Sequence, residues 1–98
     1  MDHTNHVQLT ADELRPEIVE GVTIYSRDDA ELSSVAQLRG TGEDAQVVFD
    51  IGGFLGIGSR TVALRASQLD FMRDENGVVH AVTQMTEEQL TAMPEFVG

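Results

Sequence analysis

Residues 47–58 read VVFDIGGFLGIG, a nearly continuous apolar run that passes directly into a glycine-rich one. The first five residues have the β-branched and aromatic composition of a short buried strand. Glycines then interrupt this strand, and strand character resumes at Thr61. The pattern predicts two strands joined by a connection in which glycine supplies backbone angles that other residues avoid.

The glycine-rich run matches neither of the common phosphate-binding patterns. Ser59 stands where a Walker A loop has lysine, and Thr61 stands where the dinucleotide fingerprint has its last glycine. No convincing helix follows, so no helix N-terminus is available to hold an anion. We therefore interpret the run as a connection between strands and not as a nucleotide site.

Large apolar side chains lie within this connection, whereas ordinary hairpin turns are polar. They either fold back and plug one end of their own fold, or form an exposed patch that meets another surface. The second interpretation makes the run a candidate interaction site. Its members are Gly52, Gly53, Phe54, Leu55, Gly56, Ile57 and Gly58.

Further strands are predicted at intervals of roughly 10 residues, a spacing typical of sandwiches and barrels. They are Val22–Tyr25, Leu32–Arg39, Asp70–Arg73 and Val78–Val82. Asn76-Gly77 favours a hairpin between the last two, because both residues tolerate positive φ. A capping box at Thr86–Gln89 predicts a C-terminal helix with Leu90 and Met93 on one face, ended by Pro94.

Residues 1–9 are predicted to be a disordered polar leader, and residues 10–98 a single domain. A capping box at Thr10–Glu13 is followed by Pro16, which limits any helix there to about one turn. A short helical turn is expected at Ala66–Leu69. The expected core residues are Val22, Ile24, Val35, Leu38, Val48, Ile51, Val62, Leu64 and Leu69.

Composition excludes several kinds of chemistry. The 98-residue chain has no cysteine and no lysine, so disulfides, thiolate metal sites and Schiff bases are ruled out. Its net charge of −11 disfavours direct binding to nucleic acid or to an anionic membrane surface, and fits a basic protein partner, or no strong electrostatic partner, better. No apolar run is long enough for a membrane span, no secretory signal is visible, and the cytoplasm is expected.

No catalytic, cofactor-binding or metal site is predicted. His3 and His6 lie in the leader, and His80 is expected to face outward from a strand. The paired carboxylates lie in turns and helix starts, where solvation accounts for them. Arg60 and Arg65 flank a strand and are interpreted as structural residues, with an interface role as the alternative.

Residues 47–58, with the strand at Thr61–Leu64, resemble the PRC-barrel family in its stand-alone bacterial form. The likeness extends over residues 18–96, with Val22–Tyr25 similar to the family's opening strand and Thr86–Phe96 to its closing segment. The sequence departs from the family in three places. The family has glycine at the position of Ala30, an apolar-glycine pair at Ser33 and Ser34, and proline at Arg65. The first two departures imply a remodelled first hairpin.

The resemblance implies an all-β fold, a small partly open barrel of about six strands with a short C-terminal helix. The family includes the cytoplasmic domain of the reaction-centre H subunit and the C-terminal domain of RimM, which act as assembly modules. We therefore expect a non-catalytic protein-interaction module with an unidentified protein partner. We also expect a homodimer formed through the glycine-rich run and an adjacent sheet edge. A small-ligand or metal-binding protein is the main alternative, and a carboxylate-based hydrolase the next.

Overall fold

The computed structural model describes residues 7–51 and 60–96, in which short strands form two β-sheets. The strands of these ranges are β1 (Val7–Gln8), β2 (Thr23–Tyr25), β3 (Glu31–Ser34), β4 (Gln37–Arg39), β5 (Gln46–Ile51), β6 (Arg60–Arg65), β7 (Leu69–Arg73) and β8 (Val79–Thr83). The α-helices are α1 (Pro16–Val19) and α2 (Glu87–Thr91), and single 3-10 turns lie at Ala11–Glu13 and Ala66–Gln68. The all-β prediction is thus confirmed.

The larger sheet has the strand order β1-β7-β8-β2-β3, and the smaller one has the order β4-β5-β6. All neighbouring strands are antiparallel except β2 and β8, which are parallel at the centre of the larger sheet. Within the described ranges the strands do not close into a barrel. More strands are present than predicted, because one predicted strand is divided and β1 was not expected.

The predicted strand Leu32–Arg39 is divided between the two sheets. The Val35 amide donates to the Val22 carbonyl at 2.8 Å, and the next amide, that of Ala36, donates to the Val48 carbonyl at 2.9 Å. Val35 and Leu38 are both buried although they are three residues apart. Side chains alternate along a regular strand, so the chain must bend to bury both. The extended segment therefore leaves one sheet and joins the other at this corner.

The core lies between the two sheets, and every residue predicted for it is buried. On β5, Val47, Phe49 and Ile51 face this core, while Val48 is buried on the opposite face of the smaller sheet. Among the described residues, Phe49 is the largest fully buried side chain. Phe49 was not among the predicted core residues, because three consecutive apolar residues, Val47 to Phe49, do not show which of them face the core.

The predicted leader is part of the fold from residue 7 onward. Val7 lies opposite Arg73 on β7, the Leu9 amide donates to the Phe71 carbonyl at 2.8 Å, and Leu9 is buried. The leader prediction is therefore corrected for residues 7–9, whereas residues 1–6 lie outside the described ranges. A strand of two residues is too short to show an alternating pattern in the sequence. It forms because it pairs with β7.

The predicted C-terminal helix is present as α2. The Gln89 amide donates to Thr86 Oγ1 at 3.1 Å, and the Thr86 amide donates to Gln89 Oε1 at 2.9 Å, which is the predicted capping box. Leu90 is fully buried, and Met93 packs against the core. No helix in the described residues is long and apolar enough to cross a membrane.

The β7–β8 hairpin forms as predicted, but its turn differs from the expected one. Gly77 has a φ of +81°, whereas Asn76 is not among the described residues with positive φ. Asp74 Oδ1 instead accepts the amides of Asn76 at 2.8 Å and Val78 at 2.9 Å. The aspartate before the Asn-Gly pair therefore organises the turn, and only the glycine needs the left-handed region.

Candidate functional site

The predicted interaction residues, Gly52 to Gly58, lie outside the described residues, but the strands on either side of them are described. β5 and β6 pair without interruption from Gln46 opposite Arg65 to Ile51 opposite Arg60. The Ile51–Arg60 pair therefore closes the ladder where the glycine-rich connection leaves and returns. Ile51 is buried in the core, so this end of the hairpin is held by packing as well as by the ladder.

The base of the glycine-rich connection is tied to the C-terminal segment that follows α2. Arg60 Nη1 donates to the Met93 carbonyl oxygen at 2.6 Å. The Phe96 amide then donates to the Thr61 carbonyl oxygen at 2.7 Å, along the free edge of β6. These bonds support the structural interpretation of Arg60 and define a hairpin base, formed by Ile51, Arg60 and the 93–96 segment.

Both edges of the smaller sheet have hydrogen-bond partners within the chain. On β4, the Leu38 amide donates to Glu20 Oε2 at 3.0 Å. On β6, the Thr61 carbonyl accepts from Phe96, and the Arg65 amide donates to Gln68 Oε1 at 2.8 Å. Unpaired edge groups are what an added strand requires, so these bonds protect both edges of the smaller sheet.

The larger sheet has edges of a different kind. β1 is only Val7–Gln8, and β3 pairs with β2 through a register shift between Ile24 and Tyr25. Asp29, in the turn between β2 and β3, has a φ of 62°. Short and bulged edge strands resist further pairing. The first hairpin is thus irregular, at the position where the sequence departs from the PRC-barrel pattern.

The outer face of the smaller sheet carries a row of exposed polar side chains. Arg39 pairs with Gln46, and Gln46 pairs with Arg65, so the three residues lie side by side across β4, β5 and β6. The Arg39 guanidinium carbon lies 5.5 Å from the Phe96 ring centroid. We call Arg39, Gln46 and Arg65 the arginine row.

His80 faces away from the core, as predicted, but it is buried on that outer face. It lies on the central strand β8, on the face of the larger sheet opposite the core, and is only 5% exposed. Its ring packs edge-on against Tyr25, with centroids 6.0 Å apart and an interplanar angle of 82°. Met72 and Thr23 lie opposite it on the two neighbouring strands. A central strand has side-chain neighbours on both sides, and the sequence alone does not reveal strand order.

Two surface clefts lie beside the N-terminal segment. One, of about 110 Å³, is lined by residues that include Leu14, Phe71, Glu43 and Asp70. The other, of about 250 Å³, is lined by Ala11, Asp12, Arg15, Thr41 and Gly42. Ligand pockets commonly measure about 300–1,000 Å³, so both clefts are small for an organic ligand. Among the described residues no three His, Asp or Glu side chains converge to hold a metal ion. His3 and His6 lie outside these ranges.

Glu13 fastens the N-terminal segment to the larger sheet. Its carboxylate accepts the Thr10 amide at 3.0 Å and the Arg73 guanidinium at 2.9 Å. The Thr10 amide is the main cause of a lowered pKa at Glu13, and the positive charge of Arg73 lowers it further, against the opposing effect of desolvation. The arrangement is structural, since it links two parts of the backbone and faces neither cleft.

No protein-family model matches this chain, and a search of curated proteins finds no significant match.

Proposed function

We propose that this chain is a non-catalytic protein-interaction and assembly module of the PRC-barrel type, acting in the cytoplasm. The hairpin base is the observation that carries the proposal. Arg60 and Ile51 anchor the two ends of the glycine-rich connection to the segment that follows α2 and to the core. A connection that is rich in apolar side chains and bonded at its base is suited to presenting those side chains to a partner.

A partly open barrel is the architecture that we propose for the whole domain. Two corners support it, each of which takes the chain from one sheet into the other. The first lies at Val35 and Ala36, between β3 and β4. The second is the 3-10 turn Ala66–Gln68, between β6 and β7. Strands that switch sheets at such corners are how small barrels and orthogonal sandwiches are built.

The partner that we propose first is a second copy of the chain, in a homodimer. Because the edges of β4 and β6 already have hydrogen-bond partners within the chain, we propose that the two copies do not pair through added strands. They contact each other through the side chains of Phe54, Leu55 and Ile57. Two-fold pairing is the commonest way to bury one shared apolar patch. Because the chain carries a net charge of −11, screening by added salt should strengthen this contact.

Sedimentation velocity of the wild type and of Leu55→Asp tests the proposal. We expect a wild-type dimer and a folded monomeric variant. Val78→Asp is the matched control, since Val78 is 59% exposed on another hairpin, and it should remain dimeric. A monomeric wild type together with a badly destabilised Leu55→Asp would instead mean that these side chains plug their own fold, because the new charge would be buried without a partner.

A further inference from the structure

We propose that the arginine row binds the carboxylates of an acidic segment of a partner protein. The inference rests on the proposed role as an interaction module, but it uses the outer face of the smaller sheet and not the glycine-rich connection. Arg39, Gln46 and Arg65 are all exposed there and lie on one line across three strands.

The two guanidinium groups of the row are available, although the chain is rich in acids. It has 17 acidic residues against 6 arginines. In the described part of the chain, Arg15 pairs with Glu17 and Arg73 with Glu13, whereas Arg39 and Arg65, like Arg27 and Arg60, have no carboxylate within ion-pair distance. Glu43 and Asp44, in the turn beside the row, do not pair with them either. The row is therefore a local positive site on an acidic protein.

The geometry of the row suits carboxylates. Neighbouring strands are about 4.8 Å apart, so the arginine backbones stand roughly 10 Å apart with the Gln46 amide between them. Because the Arg39 guanidinium lies against the Phe96 ring, the two arginine side chains are placed to hold two successive acidic side chains separately. A guanidinium presents parallel N–H donors that match the two oxygens of a carboxylate. The Phe96 ring beside Arg39 holds one of these side chains in place before binding.

Glu43 and Asp44, in the turn beside the row, oppose an acidic ligand, whereas more distant acidic groups act weakly at ordinary ionic strength. The Debye length at physiological salt is about 8 Å, so exposed charges further away are largely screened. The contact should therefore be weak, specific to the row and sensitive to salt. Added salt should therefore weaken binding of the acidic segment, whereas it should strengthen the proposed self-association.

NMR titration of the full chain with a hexaglutamate peptide tests the proposal, with hexaglutamine as the control peptide. We expect saturable shifts at the Arg39 and Arg65 Nε–H groups and at the Gln46 side-chain amide. Gln46→Glu places a carboxylate within the row without touching Phe96, and should weaken binding about tenfold or more, since it competes for the charge-assisted bonds. Gln84→Glu adds the same charge at an exposed site elsewhere and should bind like the wild type.

Several outcomes would overturn the proposal. These are no shift at the row, equal shifts at the exposed Arg27, or binding that Gln46→Glu leaves intact. Shifts produced by inorganic phosphate but not by the peptide would reassign the row to a phosphate ligand. If Gln46→Glu converts a dimer to a monomer, the arginine row would be a contact with the second copy of the chain and not with an acidic partner. The Leu55→Asp variant should still bind the peptide, so failure of the proposed dimer and failure of the arginine row are separately visible.

Discussion

The Arg60 guanidinium donates to the Met93 carbonyl oxygen at 2.6 Å, so the first residue of β6 is bonded to the chain just beyond α2. Met93 follows α2 and its C-cap Ala92, and side-chain donors commonly satisfy carbonyl groups at the C-terminal end of a helix. Here the same bond also fixes one end of the glycine-rich connection. The helix and the hairpin base are thus coupled through one side chain.

Arg60→Met keeps the aliphatic stem of the side chain but removes its donors. We expect the free energy of unfolding to fall by about 1.5 kcal/mol, because a charge-assisted bond is lost and the Met93 carbonyl is left unpartnered. Urea denaturation measures this change. Arg27→Met, in the exposed turn after β2, is the control and should change stability by less than about 0.5 kcal/mol. Equal effects of the two substitutions would show that the Met93 bond contributes nothing.

Glu20→Ala removes the acceptor of the Leu38 amide on the edge strand β4. We expect a loss of about 1 kcal/mol in unfolding free energy. We also expect increased association on mild heating, because an unpaired edge amide invites strand addition. Glu20→Gln retains an acceptor and should behave much like the wild type. Glu17→Ala removes only an exposed ion pair with Arg15 and should be nearly neutral. If light scattering does not separate Glu20→Ala from these controls, Glu20 does not guard the edge.

The lowered pKa of Glu13 predicts a stability change in acid. A carboxyl group whose folded-state pKa lies below its ordinary value of 4.5 stabilises the fold fully above that value. This contribution is lost as the pH falls through the lower, folded-state pKa. Glu13→Gln should therefore be less stable than the wild type at neutral pH, and the difference should narrow in acid. Parallel pH–stability curves for the two proteins would contradict this, and NMR titration of the Glu13 carboxyl carbon measures the pKa directly.

Gly77→Ala places a Cβ at a φ of +81° in the β7–β8 turn. No neighbouring atom lies within 4 Å of that Cβ, so the cost is conformational and not a clash. We expect destabilisation of about 1 kcal/mol in thermal or urea unfolding. Gly77→Asn is the control, and it should cost less because asparagine tolerates the left-handed region. An equal cost for both substitutions would point to a cause other than backbone conformation.

Local patterns predicted most of the strands, and all nine residues expected in the core are buried, although Val48 lies on the opposite face of the smaller sheet and Phe49 was not expected. Val62 and Leu64 on β6 alternate with less buried neighbours, and this alternation is visible in the sequence. The division of Leu32–Arg39 was not predictable, because it depends on which distant strands supply partners at Val35 and Ala36. The burial of His80 depends on strand order for the same reason.

The candidate sites were predictable to different degrees. The glycine-rich run stands out in the sequence, although it lies outside the described residues. The arginine row does not stand out, since Arg39, Gln46 and Arg65 are distant in sequence and meet only through the β4–β5–β6 register. A signal for it was nevertheless present, because Arg65 occupies a position where the PRC-barrel pattern has proline. Once that register is known, the shared face of the three residues follows from strand alternation.

The parallel pairing of β2 and β8 bears on how fast the chain can fold. This pairing brings Ile24 opposite Ala81, so the centre of the larger sheet joins residues from near the two ends of the described chain. The entropy of closing so long a loop must be lost before the contact is gained. Domains dominated by such non-local pairs typically refold in milliseconds to seconds. We therefore infer that the β5–β6 and β7–β8 hairpins, whose partners are close in sequence, form before the central pair that unites them.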